Sequence, residues 1–151
     1  VKRRKRKKLS GRLVEAASSE DVGAVRALLR AGADPDGADA HGTTPLYAAA
    51  VGGSAEIVAR LLEAGASPDV ESRGETDGTA LCAAAAWGHT DVVRRLLAHG
   101  ADPDLREDDG EGRSPLEWAR NGRHAKTAGL LLAAGARSPD TATRAATTPA
   151  G

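Results

Sequence analysis

The chain has 151 residues, the length of one ordinary domain, and balances 21 basic against 21 acidic side chains. Its single cysteine, Cys82, excludes an internal disulfide or a cysteine metal cage. No run approaches the roughly 18 apolar residues of a membrane span, and Ser10, Gly11 and Arg12 follow the basic start where a signal core would be apolar. The expected setting is therefore intracellular, reducing and cytoplasmic. With no Phe, no Met and only Tyr47, Trp87 and Trp118 as aromatics, the core has to be filled by Ala, Leu and Val.

The chain opens with an unbroken basic run of Lys2, Arg3, Arg4, Lys5, Arg6, Lys7 and Lys8, which leaves a net negative body behind it. Positive charge at a helix start opposes the helix dipole, so residues 1–8 are expected to be a disordered arm unless an anion or the chain's own acidic loops neutralise it. Beyond the arm there is one lysine, Lys126, among many arginines, with abundant Ala and Gly. This bias suggests a GC-rich genome of bacterial type, with Val1 read from a GTG start.

From about Leu9 to Ala136 one unit recurs. Gly-Ala appears at Gly32-Ala33, Gly65-Ala66, Gly100-Ala101 and Gly135-Ala136, each preceded by a leucine pair such as Leu61-Leu62. Thr44-Pro45-Leu46, Thr79-Ala80-Leu81 and Ser114-Pro115-Leu116 mark the same register, which places the units at about 9–38, 39–71, 72–106 and 107–136. The first has no loop and starts at a helix, Arg12 to Ser18. In the others Thr44 or Ser114 can cap a first helix, with proline at its first position where the missing N–H costs nothing. Its inward positions are small, as in Ala49, Ala50, Ala84 and Ala85. A glycine turn at Gly52-Gly53 or Gly88 leads into a second helix whose apolar stripe is Ile57, Val58, Leu61, Leu62 or Val92, Val93, Leu96, Leu97. Gly65 and Gly100 then supply the left-handed residue that ends it. Two extra residues before Thr79 and before Ser114 predict longer fingers there. Residues 137–151, rich in Thr, Ala and Pro, are expected to be disordered.

At these residues the pattern resembles the ankyrin repeat, whose hallmark runs Thr-Pro-Leu-His, Ala-Ala, Gly-His, Val-Val, Leu-Leu and Gly-Ala-Asp. The resemblance implies a mainly α solenoid of helix-turn-helix units joined by β-hairpin or extended finger loops, with the first unit as an amino-terminal cap. It also implies protein binding through the fingers and the concave face of the first helices. The hallmark histidine is replaced by Tyr47, Cys82 and Glu117, so the hydrogen bonds it makes between helix starts need another source.

The titratable groups do not converge on a catalytic arrangement, and neither a cofactor nor a metal site is expected. His89 and His124 occupy the inter-helix turn, His99 can meet the carbonyl end of its helix, and Cys82 reads as a small buried hydrophobe. Acidic residues crowd the fingers: Asp34, Asp36 and Asp39; Asp69, Glu71, Glu75 and Asp77; Asp102, Asp104, Glu107, Asp108, Asp109 and Glu111. Asp-Pro-Asp can simply belong to the loop, or serve a basic partner. Trp87 closes a first helix on the concave side and is either a binding anchor or packing over alanines, whereas Trp118 reads as core or cap. The expected partner face comprises His41, Thr43, Val51, Thr76, Gly78, Ala86, Trp87, Arg113 and Asn121. Its expected occupant is a protein with a basic surface, bound by a monomer. The alternative function is an electrostatic tether to nucleic acid or anionic lipid through the basic run.

Overall fold

A computed structural model describes residues 1–74 and 78–138. Among them are eight α-helices: α1 (Lys2–Ser18), α2 (Val22–Arg30), α3 (Pro45–Gly52), α4 (Ala55–Glu63), α5 (Ala80–Trp87), α6 (Thr90–Ala98), α7 (Pro115–Asn121) and α8 (Ala125–Ala133). They pack as consecutive antiparallel pairs, and the pairs stack so that α1, α3, α5 and α7 form an inner row and α2, α4, α6 and α8 an outer one. The two-stranded hairpin β1 (Glu71–Ser72) and β2 (Gly78–Thr79), with Glu71 opposite Thr79, forms the second finger. A single 3-10 turn, Asp108–Gly110, shapes the third.

Local chemistry sets each boundary. The Thr44, Thr79 and Ser114 hydroxyls accept from the amides of Tyr47, Cys82 and Glu117, each at 3.2 Å. Ser114 adds a capping box, its own amide donating to Glu117 Oε2 at 2.9 Å. That bond, helped by Arg106, holds the Glu117 carboxyl below its ordinary value. The inner helices can approach closely because Ala17, Ala49, Ala50, Ala84, Ala85 and Ala119 are fully buried at their contacts. The outer row supplies the bulk, with Val25, Ile57, Val58, Leu61, Val92, Val93, Leu96 and Leu131 all at 0% exposure. No helix among the described residues is long and apolar enough to cross a membrane.

The amino terminus departs from the sequence expectation. Residues 1–8, expected as a disordered arm, are helical from Lys2, and the helix placed at Arg12–Ser18 is the second half of α1. Lys and Arg are good helix formers, and the core-facing Leu13, Val14 and Ala17 fix the register. Extension from an anchored helix adds a hydrogen bond per residue without a new nucleus, while the adverse dipole acts mainly on the first turn. All seven basic side chains remain exposed. At the other end Arg137 and Ser138 are described, and the rest of the expected 137–151 tail lies outside the described residues.

The outer row weakens at α8. It buries only Thr127 and Leu131, leaves Leu132 at 44% exposure and carries Gly129 in its interior, which costs about 1 kcal/mol relative to Ala. By contrast α4 buries Ile57, Val58, Ala59, Leu61 and Leu62. Hydrogen exchange should therefore find the α8 amides opening well before those of α4. Equal protection of the two helices would contradict this account.

Candidate functional site

Many polar groups at the unit junctions are committed to holding one unit against the next. Asp36 Oδ1 accepts the Ser67 amide at 2.9 Å, Asp69 Oδ1 the Asp102 amide at 3.0 Å, and Asp104 Oδ1 the Arg137 amide at 2.8 Å. The aspartate that follows Pro35, Pro68 and Pro103 is thus a joint between units, which accounts for its recurrence without a ligand. His89 Nε2 meets the Val51 carbonyl at 3.1 Å and His124 Nε2 the Ala86 carbonyl at 3.0 Å. At the same N-cap position Asp21 and Ser54 cap their own helices. The histidines forgo that cap to reach the preceding inner helix. Each imidazole lies across a turn glycine, Gly53 or Gly88, at φ 77° and 70°. A side chain there would meet both left-handed strain and the ring. His99 Nδ1 meets the Arg95 carbonyl at 2.9 Å, as expected of a helix end.

Cys82 is 1% exposed, with its thiol facing the Leu105 and Arg113 carbonyls at 3.9 and 3.7 Å. Burial pushes its pKa far above the ordinary thiol value, so the thiolate needed for nucleophilic chemistry is not accessible at neutral pH.

On the inner row a pocket of about 390 Å³ opens between α3, α5 and α7. Its wall contains Tyr47, Trp87 and Trp118 with Ala83, Ala86 and Asn121, and Glu107 enters it from the third finger. The indole N–H of Trp118 donates to Glu107 Oε2 at 2.7 Å, and the Arg113 guanidinium lies 4.8 Å from the Trp118 ring centroid. Partial burial pushes the Glu107 carboxyl above its ordinary value, against the opposing effects of the Trp118 and Cys82 hydrogen bonds. Trp87 is 64% exposed. A second hollow, of about 400 Å³, lies among Asp69, Glu71, Asp102, Asp104 and Asp109 of the fingers. Among the described residues no group of His, Cys, Asp and Glu is placed to hold a metal ion.

The expected partner residues fall into distinct settings. Ala86, Trp87 and Asn121 line the pocket together. Val51 lies one unit away at the end of α3, 37% exposed, its carbonyl engaged by His89. Arg113 is exposed but covers Trp118. His41 and Thr43 form the first finger turn, both donating amides to Asp39 Oδ1. Gly78 is buried, with φ 141°, and a Cβ there would collide with the Glu107 carboxylate. Thr76 lies outside the described residues. The sequence reading missed Tyr47, Glu107 and the pocket role of Trp118. Their available signal was that the chain's three aromatics fall in three consecutive units, each at a first helix.

A family model described as ankyrin repeats (3 copies) matches residues 12–72 and 68–142. The chain belongs to the ankyrin-repeat family. No curated protein matches it. Ankyrin repeats are in general protein-protein interaction modules, which gives the open inner face of this ankyrin chain its context. The departures at the hallmark histidine find three local solutions. Glu117 closes a capping box, Cys82 packs its thiol against finger carbonyls, and Tyr47 turns its ring to the pocket.

Proposed function

We propose that this ankyrin protein is a non-enzymatic binding module that holds a protein partner on its inner helix face and acidic fingers. The observation that supports this most is Trp87, a large ring left 64% exposed at the end of a helix that is buried from Ala80 to Ala85. A ring left open in this way has apolar area to bury against a partner, and Trp is among the residue types enriched at binding hot spots. On the third finger the exposed carboxylates of Asp108 and Glu111 favour a partner with basic groups. Two variants test the reading: Trp87→Ala, and a chain with glutamine at every position from Lys2 to Lys8. Proteins captured by the full chain should be lost on the first and kept on the second.

The exposed run of α1 favours a second reading, a tether to nucleic acid or anionic lipid. Among the described residues no acidic side chain is ion-paired with Lys2 to Lys8. If seven cations each displace a counterion, binding should fall with salt at a log–log slope near about −6 on duplex DNA and vanish in the glutamine variant. Salt-independent binding, or binding retained by that variant, would rule the tether out.

A further inference from the structure

The pocket on the inner row is built from rings supplied by three successive helix pairs: Tyr47 on α3, Trp87 ending α5 and Trp118 on α7. These are all the aromatic side chains in the sequence. Between them α5 presents only Cys82, Ala83 and Ala86, so the middle unit makes room for the rings on either side. A core this poor in bulky residues would gain from burying them, yet they surround an open space.

One carboxylate enters that space. Glu107 is fixed by the Trp118 indole N–H on Oε2. Its Oε1 stands over the bare backbone of Gly78, where a Cβ would collide with that oxygen and lie 3.6 Å from Cε2 of Tyr47. The negative charge is therefore a neighbour of both rings, at the distance scale of about 6 Å over which an aromatic face attracts a cation. Trp118 already attracts one, since Arg113, which is not part of the pocket wall, stacks on it.

The chemistry of the wall selects among occupants. An anion is repelled by Glu107, and a neutral apolar head would desolvate that carboxylate without compensation. A guanidinium fork prefers two carboxylate oxygens in parallel, but Oε2 is already taken by the indole. An ammonium is a compact point charge on an apolar stem, which needs only a single carboxylate oxygen and a ring of aromatic surface. The exposed Asp108 and Glu111 add negative charge on the third finger, the same segment that carries Glu107, and a basic protein segment can meet both this charge and the pocket where a free small cation cannot.

We propose that the Tyr47, Trp87 and Trp118 pocket binds the alkylammonium end of a lysine side chain on a protein partner, with Glu107 as its counter-charge. This rests on the protein-binding reading above and names the group that occupies its centre.

Two measurements test it on the full chain. Tryptophan fluorescence, both indoles lying in the pocket, is titrated at constant ionic strength with Nα-acetyl-lysine amide, its ε-trimethyl form, and the neutral norleucine analogue. Both cations should bind at least about tenfold more tightly than norleucine. Glu107→Gln, which keeps an oxygen for the Trp118 indole, should abolish that preference at an unchanged melting temperature. Should Glu107→Gln fail to fold, Trp87→Ala, an exposed position, supplies the loss of cation binding instead. Norleucine binding as well as the cations, or an undiminished preference in the folded variants, would overturn the assignment. In the second measurement the captured partner fraction is lysine-acetylated, which removes the charge and leaves arginine intact. Capture should be lost, and retention would overturn the lysine. A captured protein with no cation preference in the titration sinks the pocket assignment alone. A cation preference with no protein captured sinks the protein partner, and with it the reading on which this rests.

Discussion

Cutting Leu96 back to alanine should lower the unfolding free energy by about 3 kcal/mol, within the 2–5 kcal/mol span of buried leucine truncations. Leu96 is 0% exposed on α6, which stands between α4 and α8 in the outer row. A cavity there lies at two interfaces of the stack, and a domain with about 5–15 kcal/mol of total stability feels it throughout. The same truncation at Leu132, 44% exposed on α8, should cost about 0.5 kcal/mol or less, as surface changes do. Chemical denaturation of the two variants makes the comparison. Similar losses would mean that the outer row is not organised around its central helices.

Trp87→Ala should weaken partner binding by about 2 kcal/mol or more, roughly thirtyfold in Kd, with the melting temperature nearly unchanged. The two effects separate because of where the residue sits. The side chain is 64% exposed while the adjoining Ala83, Ala84 and Ala85 of α5 are buried at 7%, 0% and 0%. Its removal opens no internal cavity, and the αL glycine that ends the helix, Gly88, is untouched. A variant that melts early yet binds normally would show Trp87 to be packing, and the binding centre would have to be sought on the fingers instead.

The repeat, its caps and its glycine turns were legible in the sequence because each is decided within a few residues. Thr44 needs only its own helix start, and Gly65 only the end of α4. The left-handed geometry at Gly65, φ 99°, and at Gly100, φ 85°, follows from that local demand. The pocket was not legible for the opposite reason. Glu107 and Tyr47 are far apart in sequence, and they become neighbours only through the stacking of α3 on α5 and the path of the third finger across Gly78. Trp118, read as core or cap from its register in the first helix, does pack partly buried against the core. What turns it to the pocket is the hydrogen bond to Glu107, made by a loop whose course no local rule fixes. The basic run was misjudged because charge was weighed against the dipole alone, without the anchored helix behind it.

The aspartate joints have a consequence for how such a chain can change over time. Each acceptor is a side chain, Asp36, Asp69 or Asp104, and at every joint a backbone amide donates to it, that of Ser67, Asp102 or Arg137, with the Ser67 hydroxyl adding a side-chain bond to Asp36 at the first joint alone. An amide is available from any residue except proline. The coupling therefore makes a demand on one side of each seam and almost none on the other. A whole unit duplicated or excised at such a seam would find an aspartate behind it and an amide ahead of it, whatever its surface carried. Joints of this kind let repeat arrays lengthen, shorten and shuffle by recombination without redesigning their contacts, while the inner-face rings diverge independently of them.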